Sequence, residues 1–152
     1  MPDPESRQKV STVLALDFGL KRIGIASGDT LTRSARPRGA IDNGPGGPDW
    51  AALRKILDDL RPARIALGEP YNADGSASPL TEVARRFAAE LQQRCSLPVD
   101  LVDERWSSQD AEERLRAARA SGLKTGRVTK ADVDAAAAAV ILERWFERQT
   151  NE

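Results

Sequence analysis

The stretch Val13-Leu14-Ala15-Leu16-Asp17-Phe18-Gly19, followed closely by Ile23-Gly24-Ile25-Ala26-Ser27, decides the fold. Four consecutive apolar residues running into Asp-Phe-Gly read as a buried strand closed by a turn, and the second run reads as a strand hairpinned back onto it. The chain therefore begins antiparallel. Arg36 to Ile41 offers a third strand, and Gly44-Pro45-Gly46-Gly47-Pro48 then breaks the chain.

Past that break the apolar period changes from strand-like to helical. Asp49 can cap a helix bearing Trp50, Leu53, Ile56, Leu57 and Leu60 on one face, with Pro62 at its end. Arg64 to Gly68 is a short buried strand. Ser78 and Pro79 open a second helix with Leu80, Val83, Phe87 and Leu91 on one face, and Pro98 to Val102 returns as a strand. This βαβαβ succession predicts parallel pairing through crossover helices. Ser107 can cap a third helix reaching about Ala120 and stopped by Gly122, and Leu123 to Lys130 is a basic loop. The last helix, Thr129 to Arg148, is apolar over most of its girth through Val133, Ala136, Ala137, Val140, Ile141, Trp145 and Phe146, which predicts deep packing against the sheet. The expected architecture is a single α/β domain over residues 1–152, with a core from about 11 to 148 and polar tails. Its centre is a five-stranded mixed sheet, antiparallel in its first strands and flanked by helices.

Composition narrows the chemistry. A chain of 152 residues can bury a core without covalent staples. Cys95 is its one cysteine, so neither an internal disulfide nor a thiolate zinc cluster can form within it, and a reducing, cytoplasmic home is expected. No apolar run approaches a membrane span, and Met1 to Lys9 is polar, so neither a membrane partner nor a targeting segment is expected. The absence of histidine removes Ser-His-Asp and Cys-His triads and the HExxH metalloprotease. Lys and Arg number 23 and Asp and Glu 23, so net charge says nothing about nucleic acid.

Hydrolytic chemistry then rests on carboxylates. Asp17 ends the first strand, where open α/β sheets place their ligands; a turn Asp before Gly is the alternative. Glu104 follows the strand ending near Val102 and sits in Asp103-Glu104-Arg105-Trp106, which also reads as a solvated charge cluster. Asp134 falls early in the nearly apolar last helix, and Thr129 and Asp132 are better placed to cap it. A carboxylate buried there without a partner would be costly. Three carboxylates on separate elements suit Mg²⁺ or Mn²⁺, which prefer oxygen ligands. Two such ions can activate water and stabilise a leaving oxygen without a protein base. Lys21 and Arg22 follow the first turn, Arg33, Arg36 and Arg38 crowd the third strand, and Lys124, Arg127 and Lys130 line the last loop. Basic loops around a carboxylate centre fit a polyanion, although each can equally be solvated surface charge. Gly68 to Gly75, containing Asn72, is a strand end entering a turn-rich loop that by position faces substrate.

Four motifs in order carry a family resemblance: Leu16-Asp17-Phe18-Gly19 with Arg22-Ile23-Gly24; Gly68-x-Pro70 with Asn72-x-Asp74-Gly75; Asp103-Glu104-Arg105; and Val133-Asp134-x-Ala136 with Ile141-Leu142. From about Val13 to Phe146 the sequence resembles the YqgF family, also called RuvX, of pre-16S rRNA nucleases or Holliday-junction resolvase-like proteins. The resemblance implies an RNase H-like fold, Mg²⁺ or Mn²⁺ dependence, a cytoplasmic location and trimming of the 5′ end of pre-16S rRNA in ribosome biogenesis; two ions are expected from the carboxylate chemistry above. It also implies Asp17, Glu104 and Asp134 as metal ligands, with Arg105 as a neighbouring phosphate or structural partner.

Lys21, Arg22, Asn72, Arg105, Lys124, Arg127 and Lys130 are the expected substrate-binding residues. Glu69 departs from the pattern, standing where an apolar residue such as leucine is expected; it is either an additional ligand or an exposed substitution. RNA is the expected substrate, with branched DNA as the alternative, for which a homodimer rather than a monomer would be needed. Two readings of other kinds are a non-catalytic RNA-binding ribosome-assembly factor and, on fold analogy alone, phosphotransfer.

Overall fold

The computed structural model describes residues 10–72, 74–103, 113 and 128–150. Its strands are β1 (Thr12–Phe18), β2 (Arg22–Asp29), β3 (Ala35–Gly44), β4 (Gly47–Pro48), β5 (Arg64–Glu69) and β6 (Val99–Asp103). Its helices are α1 (Trp50–Leu60), α2 (Pro79–Cys95) and α3 (Lys130–Thr150). The expected helix from Ser107 to Ala120 and the loop from Leu123 fall almost wholly outside the described residues.

The sheet order is β4-β3-β2-β1-β5-β6. β1, β2, β3 and β4 form an antiparallel meander, while β5 pairs parallel to β1 and β6 parallel to β5. Expected pairing and direction hold; the strand count does not. Gly44 to Pro48 breaks the third strand as predicted, but it does so as a tight turn. Gly47, at φ 96, lets the chain fold back, and Asn43 and Gly44 pair with Pro48 and Gly47 to make a sixth, two-residue strand.

Period-two alternation divides the core between two faces of the sheet. Leu14, Leu16, Phe18, Ile23, Ile25, Ile65 and Leu67 face α1 and α2, meeting Leu53, Leu57, Phe87 and Leu91. Phe87 anchors this layer, its ring 5.0 Å from Phe18 and 5.8 Å from Trp50. Because the sheet grows in one direction from β1 to β5 to β6, right-handed crossovers put both connecting helices on that one face. Asp49 caps α1 by accepting from the Ala52 N–H, and Ser78 and Thr81 form a reciprocal cap on α2. The buried stripe of α2 runs through Ala84, Phe87, Ala88 and Leu91, leaving Val83, expected on that face, 37% exposed.

The opposite face belongs to α3. Val13 and Ala15 of β1, Ala26 of β2, Ala66 of β5 and Val102 of β6 pack against Ala138, Ala139, Ile141, Leu142, Trp145 and Phe146. Every residue from Ala135 to Leu142 is buried, as an all-round apolar helix requires. Such depth needs a close approach, and two glycines of β2 supply it. A β-carbon on Gly24 would stand 2.0 Å from the Asp134 carbonyl oxygen. One on Gly28 would stand 2.2 Å from the Ser34 carbonyl oxygen and 3.2 Å from the Leu142 side chain. The far end of α3 closes the β6 edge: Arg144 and Arg148 donate to the carbonyls of Asp103 and Leu101 at 3.1 and 2.9 Å. No described helix is long and apolar enough to cross a membrane.

Two stability outcomes follow. Gly24→Ala forces backbone apart from backbone, and we expect a loss of about 3 kcal/mol, a melting-temperature drop of roughly 6–12 °C by calorimetry. Thr129→Ala, which removes a cap hydroxyl, should cost about 1 kcal/mol and lower the melting temperature by a few degrees.

Candidate active site

The carboxyl ends of β1, β5 and β6 lie at one end of the sheet, because the three strands are parallel. The antiparallel β2 begins there. Asp17, the penultimate residue of β1, alternates with Val13 and Ala15 onto the α3 face and is half-buried. Its partner across the ladder is Gly24. The same glycine carries the backbone of Asp134, so two residues expected from sequence to bear site carboxylates, one at a strand end and one on a helix, both adjoin one residue of β2.

The cap of α3 explains how Asp134 comes to point there. Asp132 accepts from the Thr129 N–H at 2.9 Å, and the Thr129 hydroxyl oxygen accepts from the Asp132 N–H at 3.1 Å. This is the expected cap pair, and it leaves Asp134 to other work. Its Oδ2 accepts a hydrogen bond from Nε of Arg22 at 2.6 Å, the two side chains being 25% and 31% exposed. Arg22, expected among the substrate-binding residues, is placed here against this carboxylate. It opens β2 two residues before Gly24 and so shares its face. The turn before it is fixed from β3, where buried Asn43 donates its side-chain amide to the Gly19 carbonyl at 2.7 Å and its N–H to the Lys21 carbonyl at 2.8 Å.

Glu104, the third expected carboxylate, lies outside the described residues, as do Arg105, Lys124 and Arg127. Among the described residues no three Asp, Glu or Cys side chains gather into a metal-binding group. Lys21 and Lys130 are exposed at the turn and at the start of α3, near this end of the sheet.

Glu69 is not brought to Asp17 and Asp134. Alternation sends it to the other face with Ile65 and Leu67. There its Oε1 accepts from the Tyr71 hydroxyl and its Oε2 from Nε of Arg85 on α2, each at 2.5 Å. Nor is it an exposed substitution, its side chain being 12% exposed. Arg85 also donates to the Tyr71 hydroxyl at 3.0 Å, closing a triangle. Hydrogen bonding to Glu69 pushes the Tyr71 phenol above its ordinary pKa. Asn72, expected on substrate, shapes the loop after β5: its amide donates to the Ser76 hydroxyl at 3.0 Å and its N–H to the Ser76 carbonyl at 2.9 Å. The Thr81 hydroxyl, donating to the Pro70 carbonyl, ties that loop to α2.

The Arg22–Asp134 pair and the Glu69–Tyr71–Arg85 triangle join residues far apart in the chain and leave no local signature. Gly24 and Gly28 did leave one. Two glycines four apart in a strand share a face, and that spacing marks a close backbone approach.

Comparison with known proteins accords with this geometry. A protein in Xanthomonas campestris pv. campestris (strain B100) named "Putative pre-16S rRNA nuclease" is 43% identical over 146 residues, covering 96% of this chain and 94% of its own. One of the same name in Edwardsiella ictaluri is 45% identical over 139 residues, covering 91% and 96%. Among solved structures, T. thermophilus RuvC in complex with a Holliday junction substrate superposes with a TM-score of 0.58 at 19% identity, covering 93% of this chain and 96% of that one, which establishes the RNase H-like fold. The family model for RuvX, described as Holliday junction resolvase, matches residues 11–148. With nine-tenths of the chain so matched, the protein belongs to the RuvX family of nucleases, hydrolases acting on phosphodiester bonds.

Proposed function

We propose that the protein is a divalent-metal-dependent nuclease that trims the 5′ end of pre-16S rRNA in the cytoplasm during ribosome biogenesis. The observation that carries the metal site is the convergence of Asp17 and Asp134 on Gly24 at the carboxyl end of the sheet. Two partly buried carboxylates, in a chain without histidine and with its one cysteine at the end of α2, offer an oxygen donor set, which fits Mg²⁺ or Mn²⁺. Glu104 is the proposed third ligand, on the strength of its place in the Asp103-Glu104-Arg105 motif that the chain shares with the family.

The chain's residues would bind and orient. Asp17 is held by the β1–β2 ladder and Asp134 by the seated helix, so both carboxylates are placed before substrate arrives. Lys21 and Lys130, with Arg105, Lys124 and Arg127, would carry the nucleic-acid backbone toward them. Two bound ions would supply water activation and stabilisation of the leaving oxygen, so that no histidine base is needed.

RNA is favoured as substrate because relatives above 40% identity over nearly the whole chain bear the rRNA-nuclease name. Branched DNA is the second reading, favoured by the family description. It would call for a symmetric dimer with two sites.

The deciding experiment compares cleavage of a 16S precursor 5′ leader with that of a four-way DNA junction, in Mn²⁺ and in EDTA. We expect Mn²⁺-dependent cutting of the RNA, lowered at least about a hundredfold in Asp134→Asn and Asp17→Asn, the scale of losing one group that stabilises the transition state directly. Junction cleavage in preference to RNA would transfer the function to the second reading. Undiminished cleavage by the variants would overturn the site.

A further inference from the structure

We propose that Arg22 is the exchangeable counter-ion of Asp134, holding its carboxylate in the metal-free protein and yielding it to a divalent cation. The inference rests on the metal site proposed above and assigns it a resident competitor. Asp134 is three-quarters buried, beside a helical stretch from Ala135 to Leu142 that is buried throughout, and it converges with Asp17 on one glycine. A carboxylate held in such a place needs a positive charge or hydrogen-bond donors. The cap cannot provide it, because Thr129 and Asp132 satisfy each other. Arg22 provides it at 2.6 Å.

Arg22 is also built to leave. Its backbone is anchored through the turn that Asn43 fixes, so only its long side chain has to move. That side chain is about a third exposed and can swing outward with its charge solvated. A divalent ion brings twice the charge and a strong preference for carboxylate oxygen.

An arginine so placed could instead orient Asp134 for the metal, and the two roles predict opposite signs. Holding one short side chain still saves the entropy of two torsions. A guanidinium within several ångströms of a divalent ion opposes its binding by a larger Coulomb interaction. Competition therefore outweighs orientation. The displaced guanidinium remains beside the site, where phosphate oxygen is the class of group suited to accept it.

The test is Mn²⁺ titration by calorimetry of the full chain, alongside thermal unfolding in EDTA and in saturating Mn²⁺. Arg22→Gln should bind Mn²⁺ about tenfold more tightly or better, melt lower in EDTA, and gain more from Mn²⁺ than wild type does. Arg22→Lys keeps the charge and should keep the wild-type affinity. Arg22→Met, which retains the apolar stem, serves if the Gln variant does not fold. Equal or weaker Mn²⁺ binding by the uncharged variants would overturn the proposal in favour of an orienting role. If wild type takes up no more Mn²⁺ than Asp134→Asn, the metal site itself falls and this inference with it. The EDTA melting curves would then report the ion pair alone.

Discussion

The backbone of α3 lies on the backbone of β2, and the rest of the molecule depends on that approach. A helix normally stands off a sheet by the length of two side chains. Here Gly24 and Gly28 contribute none, and the carbonyl of Asp134 sits where a β-carbon would be. Packing this close lets a helix rich in alanine bury itself completely from Ala135 to Leu142 with little side-chain volume. It also fixes the position of α3 to a fraction of an ångström, since backbone cannot yield as a side chain tip can.

The site inherits its geometry from this contact. Asp17 reaches the α3 face by strand alternation and Asp134 reaches it by the seating of the helix, and Gly24 is common to both. There Arg22 pairs with the Asp134 carboxylate. On the other face the same strand end carries Glu69 into a triangle with Tyr71 and Arg85, which with Thr81 fastens the loop after β5 to α2. Strand alternation thus separates these carboxylates: Asp17 lies on the α3 face, whereas Glu69 lies on the other and holds the loop.

At 19% identity, RuvC keeps this arrangement of strands and helices over nearly the whole chain. A fold of this kind is preserved by burial pattern and topology, which many sequences satisfy, so the likeness to RuvC speaks to architecture alone. The nuclease assignment comes from the far more similar RuvX relatives, with the family match over residues 11–148.

The sequence by itself determined most of the elements and the apolar face of α1. The apolar run Val13 to Leu16 and the helical period after Asp49 are local properties, and so is the Thr129–Asp132 cap; each was legible because a short run, the backbone period or a three-residue reach decides it. Asp134 could be singled out for the same reason, being a carboxylate that its own helix does not use. Only the tertiary structure decided what met what. Nothing in the strand named the backbone that Gly24 meets, that of Asp134, more than 100 residues away in sequence. Glu69 looked like a further ligand or a surface change until the sheet gave it a side and α2 gave it Arg85. The short β4 strand depended on a turn that only its pairing with β3 makes visible. Contacts of this kind are set by chain crossings and by the sum of many burials, and no window of sequence contains them.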